Sequence, residues 1–299
     1  MQNVLTLIGN RAWAPLGSDI ASLAAGALEE AGAQCAEPDW LSADLACDIA
    51  YDGFSADVAE AAVRQYLRDM PVDIVAQPRA HRRKRLLISD MDSTMIEQEC
   101  IVEVADYAGL REEVSQITEA AMRGDLDFSE SLIQRARMLE GMDVDVLYQA
   151  MNQRVTAMPG AKTLVRTMTA NGAFAALVSG GFTYFTDLVS KELGFDEHMA
   201  NTLEIVDGKL SGRVTPPILD KYAKLAALEK YIIQLDLNVA ETLAVGDGAN
   251  DIPMLQGAGL GIAFHAKPLV AASAAAHIDH GDLTSLLYIQ GYRDAEFVG

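Results

Sequence analysis

Positive charge is scarce in this chain. Its 299 residues carry 23 Lys and Arg against 43 Asp and Glu, a formal net charge of −20. Non-specific affinity for nucleic acid or an anionic membrane is therefore disfavoured, and an anionic ligand has to be met by local cations or a metal. Cysteine is equally sparse. Cys35, Cys47 and Cys100 are odd in number and stand at no metal-binding spacing. That excludes a disulfide scaffold and reads as reduced thiols in a cytoplasmic protein. The histidines (His81, His198, His265, His277 and His280) form no spaced ligand set either. No apolar run reaches the roughly 18 residues of a membrane-spanning helix. The start, MQNVLTLIGNRAW, lacks a basic segment followed by a long apolar one, so no secretory signal is expected. No internal repeat or low-complexity tract appears. What is plentiful is apolar content, 50% of residues, enough for a sizeable core and two domains.

Residues 1 to 77 read as a small α+β module. VLTLIG is a strand, Ile20 to Ala31 has apolar residues at helical spacing, and CAEPDWLS and LACDIAYDG are two strands. Asp57 to Met70 is a second amphipathic helix and VDIVAQ a last strand. The order βαββαβ suits a ferredoxin-like sandwich. PRAHRRKR, residues 78 to 85, reads as a solvated basic linker rather than a nucleic-acid patch, because the chain as a whole is acidic. From Leu86 onward short β-like runs alternate with helical ones, which argues for a parallel sheet with helices on both faces. A helical block from about 99 to 158 carries no clear strand and reads as an inserted cap. NTLEIVDGKLSGRVT reads as a hairpin turning at Asp207-Gly208, and the Ala-rich AASAAAH, residues 271 to 277, as a helix.

Three apolar runs end in polar clusters. LLIS ends in Asp90-Met91-Asp92-Ser93-Thr94, FAALV in Ser179-Gly180-Gly181, and TLAV in Gly246-Asp247-Gly248-Ala249-Asn250-Asp251. In a parallel sheet the C-terminal strand ends share one edge, and ligands bind there. The three clusters are therefore expected to converge. Residues two apart on an extended segment face the same way, so Asp90 and Asp92 are both expected in the cleft, and Asp247 brings a third carboxylate. Hard oxygen ligands without His or Cys suit Mg²⁺. Gly180, Gly181 and Gly248 allow backbone N–H groups to approach an anion closely, Ser179 offers a hydroxyl, and a lysine is needed for charge.

Taken together, DMDST, VSGGF, a downstream lysine and VGDGANDIPML resemble the haloacid dehalogenase (HAD) superfamily, and within it the phosphoserine phosphatase branch. The resemblance runs from about Arg85 to the C-terminus. It implies a HAD-like Rossmannoid parallel sheet with a helical cap, preceded by a domain that resembles the ACT type in its element order. It implies an Mg²⁺-dependent phosphomonoesterase acting on O-phospho-L-serine, at the last step of serine biosynthesis. Asp90 matches the nucleophile that forms an aspartyl-phosphate, and Asp92 the general acid and base, whose backbone carbonyl also meets the metal. Asp247 matches the third metal ligand, with Asp251 supporting the metal shell. Ser179, Gly180, Lys224 and Asn250 match the phosphate holders. ILDKYAKLAAL offers Lys221 as an alternative to Lys224, and the YAK context favours Lys224. In the cap, Glu99 matches the residue that meets the substrate ammonium and Arg135 the one that clamps its carboxylate, with Arg137 close by. Met122 and Phe128 match apolar residues that close over the substrate. Cys100 reads as packing. Two other readings stay open: a phosphatase or phosphotransferase for another small phosphorylated amine or alcohol, and a chiefly serine-sensing protein. The resemblance of the N-terminal region also leaves open a homodimer formed through it.

Overall fold

The computed structural model describes residues 1–10 and 12–299. The first sheet holds β1 (Asn3–Ile8), β2 (Gln34–Cys35), β3 (Asp39–Ser42), β4 (Ala46–Asp52) and β5 (Asp73–Pro78), with helices α1 (Ser18–Glu30) and α2 (Ala56–Tyr66). Its order is β2-β4-β1-β5, with β3 also pairing β4. The predicted second strand is thus split in two, and the remainder follows the expected βαββαβ plan. One stripe of α1 at helical spacing, Ala21, Ala24, Ala27 and Leu28, is buried with Leu5, Leu7 and Ile49 of the sheet.

The second sheet has the order β12-β11-β10-β6-β7-β8-β9. Its strands are β6 (Leu86–Ser89), β7 (Phe174–Phe182), β8 (Glu197–Val206), β9 (Lys209–Thr215), β10 (Thr242–Gly246), β11 (Leu260–Phe264) and β12 (Ala276–Ile278). All neighbours pair parallel except β8 with β9. LLIS, TLAVG and LGIAF are buried at every position, as expected for strands covered on both faces. One face packs on α7 (Ala161–Ala170), α8 (Thr183–Leu193), α12 (Ser285–Ile289) and the cap. The other packs on α9 (Lys221–Gln234), α10 (Ile252–Gly257) and α11 (Pro268–Ala271). The first strand, β6, lies between β10 and β7, so the chain order reverses beside it. That switch point is where a crevice opens at the strand ends.

The cap holds α3 (Cys100–Asp106), α4 (Arg111–Met122), α5 (Phe128–Met138) and α6 (Asp145–Arg154). The chain leaves and returns side by side, with Ile96 bridging Ala157 and the Met158 N–H donating to the Met95 carbonyl at 2.9 Å. The cap is also knitted to the β8–β9 hairpin: Gly141 N–H donates to Leu210 O at 2.9 Å, and Leu210 N–H returns to Met142 O at 2.9 Å. Asp207 (φ 50°) and Gly208 (φ 76°) make the hairpin's two-residue turn, where both central residues need positive φ.

Two expectations are corrected. Residues 271 to 277 are not a helix: α11 stops at Ala271, and Ala276–Ile278 form β12, paired parallel with Ile262–Phe264. Alanine's helix propensity yields there to the open edge of a buried sheet. The basic linker is solvated only in part: residues 78–81, 83 and 85 are exposed, whereas Arg82 is half-buried and Lys84 buried. Arg82 donates to both oxygens of Asp48, at 2.5 and 2.7 Å, and to the carbonyls of Ile289 (2.7 Å) and Tyr288 (3.0 Å). Lys84 is buried and donates to Ala240 O at 2.8 Å. These donors dock the first sheet onto the second. No helix among the described residues is long and apolar enough to cross a membrane.

Candidate active site

The three clusters converge at the C-terminal edge beside β6. Asp90 continues β6, its N–H donating to Val245 O of β10 at 3.0 Å. Its Oδ1 accepts from Met91 N–H at 2.8 Å and from Lys224 Nζ at 2.8 Å. Lys224 stands in the first turn of α9, a helix started by Asp220, whose carboxylate caps the N–H groups of Tyr222 and Ala223 at 2.9 and 3.0 Å. Lys224 also donates to Asp251 Oδ1 at 2.6 Å, while the other Asp251 oxygen accepts from Asp247 N–H (3.2 Å) and Gly248 N–H (3.1 Å). Thr94 donates to Asp247 at 3.2 Å. Lys221 is exposed.

Three buried carboxylates, Asp90, Asp247 and Asp251, each place an oxygen within 4.8 Å of the others. One ammonium faces them. Burial, with Asp251 as the next cause, holds Asp90 well above the ordinary carboxylate range even though Lys224 pulls it down. Burial and the neighbouring Asp251, Glu99 and Asp90 do the same to Asp247. Burial alone would lower Lys224, but Asp251 and Asp90 together outweigh it and raise it. Such an oxygen-only pocket with surplus negative charge suits a hard divalent cation. Both Asp251 oxygens are already engaged, which leaves Asp90 and Asp247 with donor capacity to spare.

The carboxylate of Asp92 is not in that trio, although residues two apart on a strand share a face. The chain turns at Ser93, whose φ is +54°, and Asp92 Oδ1 instead accepts from Cys100 N–H of the cap at 3.1 Å. Burial raises its affinity for a proton, and the Cys100 contacts hold part of that back. Glu99 accepts from Ser93 Oγ at 2.7 Å. Burial, and then the Asp92 charge, push it up to about 7.

Between β7 and β8 the register skips. Val178 faces Met199 but Phe182 faces Asn201, so four steps on one strand span two on the other. Ser179, Gly180 and Gly181 bulge out towards Asp90. A Cβ on Gly180 would lie 2.4 Å from the Phe128 ring, and one on Gly181 would lie 2.8 Å from Asp92 Oδ2, so both positions need glycine for close approach.

A cleft open at its mouth collects Asp90, Asp92, Glu99, Met122, Phe128, Arg135, Ser179, Gly180, Asp247 and Asn250. Of the residues expected from sequence, Lys224, Asp251 and Gly248 do not line it; the Gly248 N–H, expected to meet an anionic ligand, donates to Asp251 instead. Arg135 is buried, its Nε donating to Ser131 O at 3.2 Å and Nη1 to Thr118 Oγ1 at 2.9 Å; Arg137 is exposed. Sequence reading missed Thr94 and Thr118. The first lay within the quoted DMDST motif; the second carries no local signal, being one hydroxyl on an amphipathic helix.

The family model for haloacid dehalogenase-like hydrolases matches residues 87–256. A Streptomyces coelicolor protein named phosphoserine phosphatase is 42% identical over 82% of this chain, a match spanning 60% of that relative's own length. A solved structure named as a phospho-aspartyl intermediate analogue of phosphoserine phosphatase is 40% identical, with TM-score 0.66 over 69% of this chain and 98% of that one. A Vibrio cholerae structure named as a probable phosphoserine phosphatase, 32% identical, covers 97% of this chain and 86% of that chain with TM-score 0.75, so its likeness includes the first sheet. Since the family model spans more than half of the residues, and its stretch contains the three strand-end clusters, the chain belongs to the haloacid dehalogenase-like hydrolases.

Proposed function

We propose that this enzyme hydrolyses O-phospho-L-serine to L-serine and phosphate, with Mg²⁺ as its cation and Asp90 as the carrier of the phosphoryl group. The observation that carries the reading is one cavity with two chemically distinct ends: Asp90, Ser179 and Asn250 at the core, Glu99 and Arg135 at the cap. Phosphoserine has matching ends, a phosphate on one side and an ammonium and carboxylate on the other.

Asp90 attacks phosphorus and the bond from phosphorus to the serine oxygen breaks. Asp92, buried and with its proton affinity raised, gives its proton to that leaving oxygen. In the second half Asp92, now a carboxylate, takes a proton from water as the water attacks phosphorus, and the Asp90–phosphorus bond breaks. Lys224, Ser179 and Asn250 hold the phosphoryl oxygens throughout. Arg135 grips the substrate carboxylate with its planar fork, Glu99 meets the ammonium, and Met122 and Phe128 exclude water. Asp90, Asp247 and the Asp92 backbone carbonyl would hold Mg²⁺, with Asp251 fixing the loop behind. When bound, the ion would neutralise charge on the phosphoryl oxygens and let an anionic nucleophile approach.

The same reading makes the enzyme cytoplasmic. It gives residues 1–77 the role of an accessory module that binds serine or pairs with a second copy; titration with serine and sedimentation of the intact chain test the two roles. The test of the main reading is phosphate release from O-phospho-L-serine with Mg²⁺ and with EDTA, beside a panel of other phosphomonoesters. Metal-dependent preference for phosphoserine is expected. Metal-dependent activity on other esters alone would keep the core chemistry and discard the assigned roles of Glu99 and Arg135. Arg135→Ala is expected to lose far more on carboxylate-bearing esters than on others, and equal losses would refute the clamp.

A further inference from the structure

The bulge at Ser179–Gly181 raises an accounting question. A bulge takes backbone groups out of the ladder, and a buried carbonyl left unpaired is costly. The Gly180 carbonyl finds its donor in a side chain: Asn201 Nδ2, at 2.9 Å. Asn201 is the β8 residue that stands opposite Phe182, where the ladder resumes, and it is 1% exposed. The rest of its amide is used on one other residue. Oδ1 accepts from Leu219 N–H at 2.8 Å, and Nδ2 donates to Leu219 O at 3.3 Å. All three bonds go to backbone. They join two segments, the bulge and the stretch immediately before Asp220, the cap of the helix that carries Lys224.

The bond to Gly180 reaches further than its own acceptor. In a trans peptide the C=O and the following N–H point in opposite directions across one rigid plane. Holding Gly180 C=O therefore aims Gly181 N–H, which donates to Ser179 Oγ at 2.8 Å. With that lone pair engaged, the hydroxyl hydrogen of Ser179 is free to turn into the cleft. The other two bonds fix Leu219, and with it the position from which α9 delivers the Lys224 ammonium to within 2.8 Å of Asp90.

We propose that Asn201 is a positioning residue for the phosphoryl half of the site, setting the separation between the Ser179 hydroxyl and the Lys224 ammonium so that both meet one phosphoryl group. This rests on the reading above that the phosphoryl group lies between those two side chains.

The test uses Asn201→Ala and Asn201→Asp in the intact chain, assayed with O-phospho-L-serine and with p-nitrophenyl phosphate. Inhibition by orthovanadate and by L-serine is measured beside turnover. A misplacement of about an ångström costs about 10²-fold in rate, so kcat is expected to fall by about that factor on both esters. Orthovanadate should weaken in step while L-serine inhibition stays unchanged. In a Ser179→Ala background the further loss from Asn201→Ala should shrink to a few-fold, because the two residues act as a unit. Wild-type kcat and vanadate inhibition in folded Asn201→Ala would overturn the proposal, as would full additivity with Ser179→Ala. If Asn201→Ala fails to melt cooperatively, Asn201→Asp, which keeps the shape and loses the donors, decides by the same measures. A wild type that cleaves the aryl ester but not phosphoserine would sink the substrate reading alone and leave this test intact.

Discussion

Two regions of this molecule bury charge, and they do so in opposite ways. Where the first sheet docks on the second, every buried charge has a partner already in place. Asp73 accepts from the N–H groups of Asp279 (2.8 Å), His280 (3.2 Å) and Gly281 (2.7 Å). Arg82 spreads its guanidinium over Asp48, Thr6 and two carbonyls. In the cleft, three buried carboxylates share one lysine. Satisfied burial holds structure together, whereas surplus burial of one sign is a cost that a ligand can remove. The contrast therefore separates docking chemistry from reaction chemistry by charge balance alone.

The contrast can be broken by substitution. The largest effects belong to the cleft. Asp90→Asn should abolish turnover and phosphoenzyme formation; an active variant would sink the mechanism. Asp247→Asn should cut activity by about 10³-fold or more, yet raise the melting temperature of the metal-free protein, since it removes a charge the fold holds at a cost. A lower melting temperature would show that the trio is balanced without metal. Next comes Arg82→Ala, which leaves Asp48 buried beside an empty site. It should cost about 3 kcal/mol in denaturant unfolding and leave kcat unchanged in the folded enzyme.

A pH effect is smaller. Glu99 is raised from 4.5 to about 7, so the folded protein binds the extra proton between those values. Its contribution to stability is present below the ordinary value and is lost as pH rises towards about 7. Glu99→Gln should flatten that loss by about 1–2 kcal/mol in metal-free melts, and should raise KM for phosphoserine. An unchanged pH profile would place the ionisation elsewhere. Smallest of all is Lys191→Ala, which removes an exposed i,i+4 pair with Asp187 and should leave melting unmoved.

Legibility in the sequence follows the same divide. Asp90, Ser179, Asp247 and Asp251 stand in short local patterns at strand ends, and a strand end is a local event. Lys224 was preferred to Lys221 from the YAK context, and it is Lys224 that meets Asp90 and Asp251. The shared-face argument put Asp92 in the cleft with Asp90, and both line it; it did not show that the Asp92 carboxylate stays out of the trio and accepts from Cys100 N–H of the cap. Thr118 and Asn201 were invisible because what matters is the remote group each one meets, Arg135 in one case and a bulged carbonyl in the other. Arg79, Arg83 and Arg85 are exposed as read; Arg82 was misread because its acceptors lie far off in sequence, at Asp48 and the carbonyl end of α12. The alanines at 271–277 carry no pattern that separates a helix from an edge strand.

The docking contacts also have a consequence in time. Gln77 donates to Ile289 O, 212 positions later, and Arg293 donates to Asp39, 254 positions earlier. A ribosome delivers residues 288–296 only after both sheets have been threaded out. The first sheet can build its own core early, but its mating surface has to wait, with Asp73 and Gln77 in water, until the far side of the second sheet exists. That surface is mixed, since Ile8, Leu41, Ala46 and Val75 of the first sheet join the apolar core of the second, so apolar as well as polar groups stay exposed to chance association until the last residues arrive.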